Sequence, residues 1–262
     1  MKHTRLREWG KKMQLNKGEV VLVSSDTRKM LLSAMRQNET LDLNQWIDGI
    51  IDCIGEEGTL LFPTYNWDFC NGLPFHYLNT LGETGSLGNL ALKRGDFKRT
   101  KHPIYSFAVY GKDKEYLCDL ENTDSFGLDS PFAYLHKKGA KNVLLDVDLQ
   151  QCFTFVHYVE EQSGAVPYRF LKHFTSQYYD EKEHCEEKTY SMFVRDFELN
   201  TTTCLYPMEA ILKEKKKIQE IKINQSNIMI LNLAEVYPII NEDITQNASR
   251  SIAKYLGQDT IS

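Results

Sequence analysis

The sequence predicts an α/β fold: one composite domain over residues 1–262, with a central mixed sheet flanked by helices and an antiparallel C-terminal extension. Three observations predict it. Short apolar runs closed by turn residues alternate with segments whose apolar positions recur at helical spacing, as in a sheet with crossover helices. Beyond Arg169 the pattern changes to alternating aromatic and charged residues, which marks antiparallel strands with one solvated face. No internal repeat, low-complexity tract or linker divides the 262 residues, which suffice for one large core.

Taken in order, Glu19–Val23 reads as a buried strand that breaks into the polar turn Ser24-Ser25-Asp26. A helix is expected from about Thr27. A second is expected over Leu43–Ile54, where Leu43, Trp46, Ile47, Ile50 and Ile54 share one face. Gly55-Glu-Glu-Gly58 turns the chain into the strand Thr59–Phe62, closed by Pro63. Ser86–Arg94 reads as a helix, and Ser106–Tyr110 and Asn142–Val147 as strands. Two antiparallel strands follow, around Lys172–Tyr179 and Thr189–Arg195, joined by the charged stretch Asp180–Lys188, read as a solvated loop. Met208–Ile218 and Ala248–Leu256 are read as helices.

Composition narrows the function. The net charge of −5 argues against a general nucleic-acid binder, which carries a basic surplus. No apolar run approaches membrane-spanning length, and the basic N-terminus lacks the apolar core of a secretory signal. Cys53, Cys70, Cys118, Cys152, Cys185 and Cys204 contain no CxxC pair, so reduced thiols in a cytoplasm are expected and a metal site is not.

Four polar clusters fall near predicted strand ends, where open α/β sheets build their sites. Ser24, Ser25, Asp26 and Thr27 enter a helix, and free N–H groups there suit either phosphate or plain capping. Tyr65, Asn66, Trp67 and Asp68 suit a polyhydroxylated or cationic ligand, or a packed aromatic loop. Ser86 opens its helix toward an anion or only caps it, and His102 before Pro103 stands in restricted, extended backbone near Ser106. Finally, Thr154, His157 and Glu160 share one helical face. An imidazole with a carboxylate partner accepts a proton near neutral pH, which a general base requires, although such pairs also occur as structural contacts.

In order, these segments resemble the aminoglycoside 3-N-acetyltransferase family. The matching stretches are Val20–Ser25, Ile54-Gly-Glu-Glu-Gly-Thr-Leu-Leu-Phe-Pro-Thr-Tyr65, Leu87-Gly88, Arg99-Thr-Lys-His-Pro-Ile-Tyr-Ser106, Ser125-Phe-Gly-Leu-Asp-Ser-Pro-Phe132, and Thr154, His157 and Glu160 with Pro167-Tyr-Arg169. Where the family's last motif has asparagine this chain has Phe153, and Ser24 stands where histidine is common. The resemblance implies an acyltransferase using acetyl-CoA, without metal, on a small-molecule amine such as an aminoglycoside or an amino sugar, free or attached to a nucleotide or glycan. The alternative from another class is a CoA- or sugar-binding protein that has lost catalysis. It implies a CoA-binding and catalytic part over about 15–172 and an acceptor-shaping part over about 173–262. His157 becomes the general base, Glu160 its orienting partner, and Thr154 an oxyanion donor. Ser24, Ser25, Thr27, Ser86, His102 and Ser106 become CoA contacts. Tyr65, Asp68, Glu161, Tyr168 and Arg169 become the expected acceptor contacts. No nucleic-acid or membrane partner is expected, and a homodimer stays open.

Overall fold

The computed structural model describes residues 3–37 and 42–256. After a short helix α1 (Trp9–Lys12), strand β1 (Val20–Ser25) is buried along its whole apolar run. Helices α2 (Arg28–Arg36) and α3 (Leu43–Ile54) follow, the latter capped by the Asp42 side chain, which accepts the Asn44 N–H. Strand β2 (Thr59–Pro63) comes next, then β3 (Phe75–His76), α4 (Ser86–Leu92), β4 (Lys98–Arg99) and β5 (Phe107–Gly111). Helices α5 (Lys114–Asp119) and α6 (Pro131–Lys137) lead into β6 (Lys141–Leu145). Ser130 starts α6 by accepting the Ala133 N–H, with Pro131 at the first turn, where its missing donor costs nothing. Helices α7 (Leu149–Cys152) and α8 (Phe155–Ser163) then precede the long strands β7 (Arg169–Tyr179) and β8 (Cys185–Arg195). The chain finishes with β9 (Thr201–Thr203), α9 (Tyr206–Glu214), β10 (Ile218–Ile223), β11 (Ser226–Asn232), α10 (Leu233–Gln246) and β12 (Ala253–Tyr255).

The expected mixed central sheet is present as seven strands in the order β10-β11-β6-β1-β2-β5-β4. Strands β6, β1 and β2 run parallel, and antiparallel β11 and β5 flank them. Alternate residues feed two apolar layers. Val21, Val23, Leu60 and Phe62 pack with Trp46, Ile47 and Ile50 of α3 on one side. Leu22, Leu61 and Leu144 join the layer that holds Val156 and Val159 of α8 on the other. Each fully buried aliphatic side chain contributes about 1.5–3 kcal/mol, so the helical stripe on α3 and the apolar strands stabilise one another. A separate sheet, β3-β7-β8, is the antiparallel extension, with Arg169 opposite Arg195 and Tyr179 opposite Cys185.

Four expectations are corrected. The charged stretch is loop only to His184; from Cys185 it is strand, because pairing with β7 satisfies its backbone. The helix expected over Met208–Ile218 ends at Glu214, after which Lys216 turns left-handed (φ 56°) and Ile218 enters β10. The strand expected to reach Val147 ends at Leu145, where Asp146 has φ 54°. Ala248–Leu256 is not a helix. Ala248 and Ser249 have positive φ, and Asp243 accepts the Ser251 N–H, so the segment turns into β12 against β9. All six cysteines are free thiols, and no described helix is long and apolar enough to cross a membrane.

Candidate active site

Helix α8 starts at the C-terminal edge of β1. Asp148 caps the single turn of α7, Phe153 breaks it, and Thr154 is the first residue before α8. Phe153 is 2% exposed and packs on Phe155, so this position serves the core here. The Ser24 hydroxyl faces the Cys152 thiol, which burial pushes up to about 12. A thiol so held stays protonated at neutral pH and is a poor nucleophile. Gly164, with φ 62°, ends α8 and returns the chain toward Tyr168 and Arg169.

The i, i+3 spacing within α8 places His157 Nδ1 2.7 Å from Glu160 Oε2. Glu160 is 1% exposed, yet it lies below the usual carboxylate range. Burial pushes it up; the hydrogen bond to His157 and the charges of His157 and Arg169 more than offset that. Tyr168 donates its hydroxyl to Glu160 Oε1 at 3.0 Å. Arg169 Nε sits 2.8 Å from Oε2, off the line of its own N–H, so the contact is ionic rather than a directed hydrogen bond. The guanidinium also donates to the Phe193 carbonyl (3.1 Å) and to Thr203 Oγ1 (3.0 Å), tying α8 to β8 and β9. Burial first, then Arg169, hold His157 below the ordinary imidazole range despite the opposing pull of Glu160. The imidazole is therefore neutral at pH 7, with Nδ1 engaged and Nε2 left to act.

His157 and Arg169 line a cavity of about 780 Å³ whose walls include Trp67, Tyr105, Phe174 and Phe193. Nearly half of this wall comes from β7 and β8, and of that part only Arg169 was singled out from the sequence. The alternation of aromatic and charged residues there was the available signal.

The remaining candidates are placed as follows. Thr27 Oγ1 and Ser86 Oγ meet at 3.1 Å, bringing the N-termini of α2 and α4 together. The α4 start has no side-chain cap, so its N–H groups remain available, and the Gly85 backbone runs close to the Ser25 carbonyl. His102 and Ser106, by contrast, are enclosed at 1% and 0% exposure. His102 Nδ1 accepts the N–H groups of Ile104 and Tyr105, and burial lowers the ring to about 3. Ser106 Oγ donates to the Thr64 carbonyl and accepts from Arg99 Nε. Tyr65 is buried among Tyr105, Phe107 and Phe132, its hydroxyl beside Thr154. Asp68 is turned to Asn66 rather than to the cavity. Glu161 faces Asp124; burial and then that neighbouring carboxylate push it up to about 8, so it holds a proton at pH 7.

A sequence model described as aminoglycoside 3-N-acetyltransferase matches residues 30–244. The SPbeta prophage-derived aminoglycoside N(3')-acetyltransferase-like protein YokD of Bacillus subtilis is 27% identical over 182 residues, 56% of this chain and 61% of that relative. The crystal structure of YokD superposes with a TM-score of 0.74 at 20% identity, covering 95% of this chain and 96% of that one. AAC-IIIb in binary complex with CoASH superposes with a TM-score of 0.72 at 16% identity, over 89% and 92% of the two chains. With most of its length matched by the family's own sequence pattern and its fold shared with these structures, the chain belongs to the aminoglycoside 3-N-acetyltransferase family.

Proposed function

We propose that the chain is an acetyl-CoA-dependent N-acetyltransferase that acylates a primary amine of an aminoglycoside or other amino sugar, with His157 as general base oriented by Glu160. One observation carries the reading: a buried carboxylate holds His157 Nδ1 at 2.7 Å while the ring borders the cavity of about 780 Å³. Acetyl-CoA supplies the thioester; the structurally similar AAC-IIIb was solved with CoASH. The hydroxyls of Ser25, Thr27 and Ser86, with the uncapped N–H groups of α4, fit its polar and anionic parts. Ser24, turned to Cys152, borders that turn.

The chemistry follows from the proton balance. The amine nitrogen bonds to the thioester carbon, the carbon–sulfur bond breaks, and the amine proton passes to His157 Nε2 and on to the leaving sulfur. Glu160 keeps the Nδ1 proton in place and compensates the imidazolium as it forms. Thr154 is the proposed oxyanion donor. No acyl-cysteine is needed, because the Cys152 thiol is protonated and bonded to the Asp148 carbonyl at 3.2 Å.

The test is thiol release from acetyl-CoA with an amine panel. His157→Ala is expected to lose about 10²–10⁴ in kcat with acetyl-CoA binding intact, while Cys152→Ala turns over normally. Near-normal turnover by His157→Ala would sink the general-base role.

A further inference from the structure

The cavity beside His157 presents unpaired charges of both signs. Its wall bears three cationic side chains, Arg169, Lys172 and Arg195, against two carboxylates, Asp196 and Glu198. Arg169 is neutralised by Glu160 at 2.8 Å. The other two cations have no carboxylate within ion-pairing distance among the described residues. Lys172 Nζ instead sits 5.2 Å from the centroid of Phe174, and the Arg195 guanidinium 4.7 Å from that of Phe197. Arg195 spends one donor, Nη1, on Thr202 at 3.1 Å, and its remaining donors are open. Asp196 turns an oxygen to its own loop, accepting the Glu198 N–H at 2.9 Å.

The strand register sharpens the point. Arg169 and Arg195 are direct partners across the β7–β8 ladder, a placement in which like charges destabilise each other. Glu160 answers for only one of them. Asp196 and Glu198 likewise have no cation within ion-pairing distance among the described residues. The wall thus offers carboxylates to an ammonium group and, in Lys172 and Arg195, two unneutralised cations to an anionic group; a ligand that carries both an amine and an anionic group answers both. Guanidinium and ammonium groups held over aromatic rings, with donors free, suit phosphate oxygens.

Resting on the acyl-transfer reading above, we propose that the acceptor is an amino sugar whose amine is carried on a phosphorylated molecule. Its phosphoryl oxygens would be held by Lys172 and Arg195, and its amine would face His157. The phosphate is supplied either by a sugar phosphate or by a nucleoside diphosphate linked to the sugar. In the second case the base has Trp67 and Phe197 as flat contact surfaces.

The experiment compares kcat/KM of the purified chain with acetyl-CoA and four acceptors: a free amino sugar, its 1-phosphate, its nucleoside-diphosphate conjugate, and a polycationic aminoglycoside. At least a tenfold preference for a phosphorylated acceptor over the free sugar is expected, and which one is preferred identifies the phosphate source. In the Lys172→Met/Arg195→Met double variant the ratio of phosphorylated to free acceptor should fall toward one, mainly through KM. Lys172→Met alone, at an exposed position, carries the same test should the double variant fail to fold. Equal use of free and phosphorylated sugars, preference for the aminoglycoside, or an unchanged ratio in the variants would each overturn the proposal and leave acyl transfer standing. No thiol release with any amine would overturn the acyl-transfer reading, and the proposal with it.

Discussion

At the scale of the residue, the candidate base is shaped by a group twelve positions further along the chain. Arg169 adds its charge to the His157 hydrogen bond that keeps Glu160 ionised, adds to the burial that holds His157 below its ordinary range, and ties both to the cavity wall through Phe193 and Thr203. With His157 as the proposed base, only neutral imidazole accepts the amine proton, so activity should fall as pH drops through the His157 pKa. Removing the guanidinium charge raises that pKa. Arg169→Met should therefore move the acid limb of kcat to higher pH by about one unit, the size of effect a nearby charge exerts. Arg169→Lys, which keeps the charge but not the planar fork, should leave the limb near its wild-type position while lowering kcat. A pH–rate profile of both variants checks this, and an unmoved limb in Arg169→Met would reject the role. The pairing of His157 with Glu160 was legible from spacing alone. That Glu161, its neighbour, meets Asp124 was not, because the two are 37 positions apart and only packing unites them.

At the scale of the element, the Leu87-Gly88 pair has a steric explanation. A Cβ on Gly88 would stand 2.3 Å from the Pro63 carbonyl oxygen, so α4 lies against the end of β2 only because that position is glycine. Ser86, two residues earlier, thereby reaches Thr27 at 3.1 Å. Gly88→Ala should lower stability by about 1–3 kcal/mol, the usual cost of overpacking, and raise KM for acetyl-CoA as α4 shifts. Gly95→Ala, with open space around it, is the matched control. Urea unfolding and acetyl-CoA saturation curves measure the two effects, and equal behaviour of the two variants would refute the argument. Strands and helices with strong periodicity, such as β1, α3 and β2, were legible in the sequence. The segment Ala248–Leu256 was misread as helix because its apolar spacing is helical, while the Asp243 carboxylate and two left-handed residues decide otherwise.

At the scale of the whole molecule, acid stability should be governed by buried histidines. His102 lies in the core with a folded pKa of about 3, against about 6.5 when exposed in the unfolded chain. Between those values the unfolded state binds a proton that the native state does not. The contribution of His102 is thus fully present above pH 6.5 and is lost toward pH 3, by up to about 1.4 kcal/mol per unit. His157 shifts in the same direction. His102→Gln, which keeps an acceptor for the Ile104 and Tyr105 N–H groups, should lose less stability between pH 7.5 and 5 than the wild type, as read from urea midpoints. An identical loss in both proteins would count against it. By itself the sequence determined the alternation of strands and helices around a mixed central sheet and the i, i+3 pairing of His157 with Glu160, because periodicity and spacing are local properties. Tertiary structure alone decided the enclosure of His102 and Ser106, the clamp of Tyr168 and Arg169 on Glu160, and the cationic, aromatic wall beside His157. These depend on which distant segments lie side by side, and burial and Coulomb interactions act through space rather than along the chain.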